Sequence, residues 1–232
     1  MLRPGQSGRY HSLNSSSIRQ AAAEFTGTAI LVASIVGSGI MGERLAAGNA
    51  AIALLANSLA TAGVLLALIL TFSRVSGAHF NPLVTLTAAS QNELSPSRAL
   101  ANATAQILGG LAGVVVANLM FDLPAFFASQ HIRTGFAQLL AEGVATFGLI
   151  TVVRLSQSPM AIAGYIAGAY WFTSSTSFAN PAVTLARTLT DSFSGIRPAD
   201  APAFLAAQVA GCTVAALFCK WLTSEGKKNH AE

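Results

Sequence analysis

The sequence predicts an all-α membrane protein, with six transmembrane helices and two short re-entrant half-helices in an inverted repeat. Three observations predict it. Hydrophobic residues make up 53% of the 232 and charged residues only 9%, whereas a soluble domain carries about 25% charged residues. The apolar residues gather in six long runs almost free of charge. A six-residue segment beginning Asn-Pro occurs twice, at equivalent places in the two halves.

The runs cover 21–41, 49–72, 99–121, 136–153, 160–177 and 202–222. Each is near the roughly 20 residues a helix needs to cross the hydrocarbon core. Backbone amides in lipid must be satisfied within the segment, so helices are expected. A transmembrane β-barrel would alternate polar and apolar residues, and 63–70 does not. Residues 1–20 are polar and rich in Ser, Gly and Arg, the composition of a disordered tail. The expected organisation is a tail at 1–20, one domain at 21–222 with halves at about 21–121 and 136–222, and a second tail at 223–232. The first apolar run is too long for a signal peptide and lacks a small-residue cleavage pattern behind it.

With both termini in the cytoplasm, nine of the 13 Lys and Arg fall on the inner side, as the positive-inside rule requires. The net charge of +4 then reflects topology, and no nucleic-acid surface is implied. Cys212 and Cys219 lie two turns apart on the last run, about 10 Å along a helix and too far for a disulfide. They read as small packed residues.

The halves echo one another in order. Ala23-Glu24 opens the first run and Ala141-Glu142 the fourth. Asn81-Pro82-Leu83-Val84-Thr85-Leu86 follows the second run and Asn180-Pro181-Ala182-Val183-Thr184-Leu185 the fifth. Gln106 and Gly109 in the third run match Gln208 and Gly211 in the sixth. Three spans per copy is an odd number, so the second copy sits upside down, and such repeats handle solute near the midplane.

Asn is a preferred N-cap and Pro suits the first helical position. Each Asn-Pro therefore starts a short helix, continuing through 85–89 and 184–188. Helices too short to cross must be shielded by protein or line a watery cavity. Two of them entering from opposite faces bring their N-termini together, so two positive dipole ends face one point. That point repels cations, and the Asn81 and Asn180 amides are candidate donors to neutral solutes.

Ser76-Gly77-Ala78-His79-Phe80-Asn81-Pro82, then Val84-Thr85-Leu86, resembles the first signature of the major intrinsic protein family, the aquaporins and aquaglyceroporins. Phe178-Ala179-Asn180-Pro181-Ala182 resembles the second. The likeness runs from about Glu24 to the end of the sixth run. It implies a pore in each subunit, a homotetramer, small neutral solutes and the bilayer as partners, and the bacterial inner (cell) membrane as location. It also implies that Glu24 and Glu142 brace the re-entrant loops. Proton carriage is the other role open to an intramembrane acid. His79 matches a pore-side histidine and is either a strut or a solute contact.

The family's narrowest ring usually holds an Arg directly after the second Asn-Pro-Ala, and Val183 stands there. Spacing from the Asn residues places the other members at Thr61, Gly168 and Ser177, with Ala60 and Ala169 as off-by-one alternatives at the first two. Four small uncharged residues imply a wide filter without its usual positive barrier. Arg187, one turn on, is expected to point elsewhere. Leu83 replaces the usual Ala and either presses on the opposite half-helix or is absorbed by repacking. The run 153–160 leaves no room for a long gating loop. The filter is similar to that of bacterial aquaglyceroporins associated with arsenic resistance, which implies water, glycerol, arsenite and methylated arsenicals as candidate solutes.

Two other classes are weighed. A coupled secondary transporter also uses inverted repeats, but needs a titratable site beside its substrate. An intramembrane enzyme needs a nucleophile with its base or clustered metal ligands, and His11, His79, His131 and His230 are scattered. No catalytic residue, cofactor or metal is expected.

Overall fold

A chain at membrane depth has no water to satisfy its amides, and the described part of this one resolves the problem with helices. The computed structural model describes residues 17–224, which form eight helices and, among the described residues, no strand. They are α1 (Ser17–Leu45), α2 (Ala50–Ser76), α3 (Pro82–Ser90), α4 (Pro96–Met120), α5 (Phe136–Leu155), α6 (Pro159–Phe172), α7 (Pro181–Arg187) and α8 (Ala201–Ser224). Five are long and apolar enough to cross a membrane. Helices α3 and α7, with 9 and 7 residues, are the re-entrant half-helices.

Two sequence expectations need correction. Helix α1 begins at Ser17, so residues 17–20 are helical rather than part of a tail, and Thr223 and Ser224 likewise close α8. The rest of both expected tails lies outside the described residues. The fifth run also ends early, because α6 stops at Phe172 after 14 residues, about 21 Å of helix. The cause is the sequence Thr173-Ser174-Ser175-Thr176-Ser177, whose hydroxyls compete with the helix for backbone partners. Thr173 leaves in an extended conformation, its hydroxyl donates to the Ala169 carbonyl at 2.6 Å, and Ser175 Oγ accepts from the Ser177 N–H at 3.2 Å.

The packing repeats as the sequence does. Helix α1 packs on α2 and α4, and α5 on α6 and α8; between halves, α2 meets α6 and α3 meets α7. Val32, Val36, Val114, Ala145 and Leu149 belong to one apolar core drawn from both halves. The glycines of the repeated Gln-x-x-Gly explain how closely the helices approach. A methyl built on Gly109 would collide with the Phe25 carbonyl, and one on Gly211 with the Gly143 carbonyl. Phe25 follows Glu24 and Gly143 follows Glu142, so both glycines let a Gln-bearing helix close onto its glutamate-bearing partner.

Overpacking of this kind costs about 1–3 kcal/mol. Gly109→Ala and Gly211→Ala should therefore each lower the melting temperature of the detergent-solubilised protein. Gly63→Ala serves as the control, because a Cβ there meets nothing within 4 Å, and it should show no such loss.

Candidate functional site

Each half-helix begins as its sequence dictates. Asn81 and Asn180 take extended N-cap conformations (φ −151° and −155°), with Pro82 and Pro181 opening α3 and α7. The Asn81 side-chain oxygen accepts from the Leu83 N–H at 2.9 Å. That of Asn180 accepts from Ala182 at 3.0 Å and Val183 at 3.4 Å. The amide nitrogens reach across to the other half. Asn81 Nδ2 donates to the Ala179 carbonyl and Asn180 Nδ2 to the Phe80 carbonyl, both at 2.8 Å. One hydrogen of each NH₂ thus ties the halves together, and a second remains.

The loops entering these caps are unusual in the same way. Gly77, Ala78 and Phe80 have φ of 93°, 53° and 49°; Thr176, Ser177 and Ala179 have 60°, 52° and 47°. The offsets from Asn81 and Asn180 are identical. For non-glycine residues this left-handed region costs of order 1–3 kcal/mol each unless the surroundings enforce it.

The enforcing groups are the buried carboxylates. Glu24 and Glu142 are both 0% exposed. Glu24 accepts from Ser76 Oγ (2.6 Å), the His79 N–H (3.0 Å), the Phe80 N–H (2.7 Å) and Gln106 Nε2 (2.7 Å). Glu142 accepts from the Phe178 N–H (2.9 Å), the Ala179 N–H (3.0 Å) and Gln208 Nε2 (2.6 Å). Each glutamine also donates to the threonine of its own half-helix, Thr85 or Thr184, at 2.8 Å. The conformational strain is offset by charge-assisted bonds, which are roughly twice as strong as neutral ones.

A cavity of about 660 Å³ runs past the caps and is lined by Asn81, Asn180, His79, Thr61, Ser177 and Val183, among others. His79 serves there in two ways. Its Nδ1 lies 3.1 Å from Thr85 Oγ1, and the residue also forms part of the cavity wall. At one end the wall includes Glu93 and Arg154, joined by two bonds of 2.8 and 2.9 Å.

The structure departs from the sequence expectations at Gly168 and Arg187, and for Leu83 it favours one of the two readings. Gly168 does not line the cavity; it is exposed, and a Cβ there would meet open space. The inward face of α6 carries Ile162, Ile166 and Tyr170, at helical spacing, and Gly168 falls opposite them. Ala169 is buried and off the wall as well. Tyr170 stands in the wall, its hydroxyl 3.3 Å from Thr61 Oγ1. Arg187, expected to point elsewhere, lines the cavity, because residues four apart share a helix face and Val183 already faces inward. Leu83 stays clear of the cavity and packs with Ile150, Cys212 and Ala215, so repacking absorbs its bulk. Tyr170 was the residue missed, and the spacing of Ile162, Ile166 and Tyr170 was the signal that could have found it.

Two half-helices capped inside a bundle, with a solute-sized passage alongside, define a membrane channel. The family description "Major intrinsic protein" matches residues 11–161 and 151–232. The chain is 47% identical over 210 residues to the aquaglyceroporin AqpS of Rhizobium meliloti (strain 1021), covering 88% of this chain and 90% of that protein. It is 33% identical over 169 residues to a probable TIP-type aquaporin of Medicago truncatula, covering 66% of each. Its fold resembles the crystallographic aquaglyceroporin of Plasmodium falciparum, with TM-score 0.61 and 21% identity, covering 89% of this chain and 95% of that one. The chain belongs to the major intrinsic protein family and is a channel for small solutes, not an enzyme.

Asn81→Asp should lower solute flux and raise proton or sodium leak in proteoliposomes. The aspartate loses the donor to Ala179 and puts negative charge where two helix N-termini meet. Normal flux without a leak would mean that the cap is not at the passage. Glu24→Gln should keep much of the expression and flux, whereas Glu24→Ala should lose both, since each buried N–H left unpaired costs about 1–3 kcal/mol. Equal damage from Gln and Ala would point to proton carriage instead.

Proposed function

We propose that the chain passes small uncharged solutes passively and in both directions, with water, glycerol and arsenous acid as substrates and methylated arsenicals at the upper size limit. The wall next to the Asn caps carries this reading. Thr61 and Ser177 bring hydroxyls, Tyr170 an aromatic face and Val183 an aliphatic one. A polyol or a hydroxylated metalloid has oxygens for the first pair and a less polar body for the second. We assign the selectivity filter to these four, with Tyr170 in the place that spacing gave to Gly168. The ring is therefore less wide than four small residues would make it, yet no guanidinium stands at position 183.

Coupled transport is disfavoured by the bonding of the buried acids. Glu24 and Glu142 face donors of their own half, a bracing role that leaves solute coupling without a carrier. The likeness to the Rhizobium meliloti protein, an aquaglyceroporin, supports passage of solutes larger than water. We extend the reading to a homotetramer in a bacterial cell membrane with both termini cytoplasmic, on the family resemblance and the distribution of basic residues.

Stopped-flow measurements on proteoliposomes with water, glycerol, arsenite and methylated arsenicals test the solute range. Flux linear in the solute gradient and indifferent to a proton gradient is expected. Val183→Arg should add bulk, donors and charge to the ring and reduce the glycerol-to-water ratio. A barrier higher by about 1.4 kcal/mol for glycerol alone gives a tenfold change. An unchanged ratio in well-expressed protein would remove Val183 from the constriction.

A further inference from the structure

Two guanidinium groups stack on Phe178, Arg187 buried and Arg133 half-buried, and they are bonded very differently. Arg133 lies in the segment between α4 and α5 and stacks over the Phe178 ring at 5.1 Å. All three of its nitrogens are used, donating to the carbonyls of Gly195, Ser175 and Phe193. It is a clamp between loops. Arg187 ends α7, is 1% exposed, and lies over the same ring at 3.4 Å. Its Nε donates to the Ser194 carbonyl, but its Nη1 makes no hydrogen bond to the described residues. The residue lines the cavity. Ser177 Oγ, in the same wall, is also buried without a partner among the described residues. A buried guanidinium keeps its charge, and with so few bonds and almost no exposed surface to neutralise or screen it, that charge acts on the adjoining passage.

We propose that Arg187 is the charge-selecting residue of this channel: its guanidinium, one helical turn beyond Val183, excludes cations by its fixed positive charge. The ring at Val183 sorts by size and polarity, and the charge that rejects cations sits one turn away. The two tasks are thereby separated along α7. Phe178 and Ser194 hold the guanidinium against the wall, so the charge acts without its bulk filling the ring. This assignment rests on the channel reading above.

The test uses the full chain in proteoliposomes, with stopped-flow glycerol flux and K⁺ conductance read on the same preparation. The wild type should pass glycerol and exclude K⁺. Arg187→Gln removes the charge and keeps an amide donor for Ser194; it should retain glycerol flux within about threefold and raise K⁺ conductance by about tenfold or more, the scale of removing one nearby charge from a low-dielectric passage. Arg187→Lys should keep K⁺ excluded. The assignment is overturned if Arg187→Gln excludes K⁺ as the wild type does, or if glycerol-conducting wild type already leaks K⁺. Wild type that passes no glycerol overturns the channel reading instead.

If Arg187→Gln does not reach the membrane, a second measurement leaves Arg187 in place. Val183→Cys, in the cavity wall one helical turn from Arg187, with Cys212 and Cys219 replaced by Ala, is reacted with anionic and cationic methanethiosulfonates. A fixed positive charge should favour the anionic reagent by about tenfold over its ratio on a free thiol. An unshifted ratio would overturn the assignment.

Discussion

A carboxylate buried in each half holds irregular backbone at membrane depth, and the rest of the molecule depends on it. A loop in the hydrocarbon region has no solvent for its N–H groups, and these loops carry left-handed residues as well. Glu24 and Glu142 answer both difficulties by accepting consecutive amides just before each cap. An ionised acceptor serves better than a neutral one, because charge-assisted bonds are shorter and stronger. Burying that charge is tolerable because donors surround it, which separates a useful buried ion from a ruinous one.

Much else follows from reaching those carboxylates. Gln106 and Gln208 must come close enough to bond both the glutamate and the half-helix threonine. The helices bearing them therefore pack without a side chain at Gly109 and Gly211. The chain Glu, Gln, Thr runs from a spanning helix through its neighbour into a half-helix, and occurs once per half. Small-residue contacts between membrane helices thus serve here to position polar groups, not merely to gain dispersion contacts.

The legibility of these features in the sequence follows how local their causes are. The Asn-Pro starts were readable because capping is a rule of adjacent residues, and the echo at Glu24 and Glu142 was readable because the fold repeats. Gly168 was misplaced because it was counted back from Asn180 across the irregular stretch after Phe172, where spacing no longer maps onto a helix face. Reading α6 from its own periodicity gives Ile162, Ile166 and Tyr170. Arg187 was expected to point elsewhere because its placement depends on Phe178 and on Ser194, the latter in a segment with no motif of its own. The end of α6 was legible in principle, since five consecutive Ser and Thr residues are a poor helix.

The reciprocal bonds between the caps bear on how the protein is made. Asn81 donates to a carbonyl 98 residues further along, and Asn180 to one 100 residues back. During synthesis the first half therefore emerges with its central contact missing, and no neighbouring segment supplies it. Its half-helix can be shaped by Glu24, which is already present, but it cannot be locked until the second loop has been translated and threaded from the other side. A ribosome paused midway holds a chain with half a pore and no seal. The bonding of the two caps to one another is thus a late event in biogenesis, because each donor and its acceptor lie in different halves.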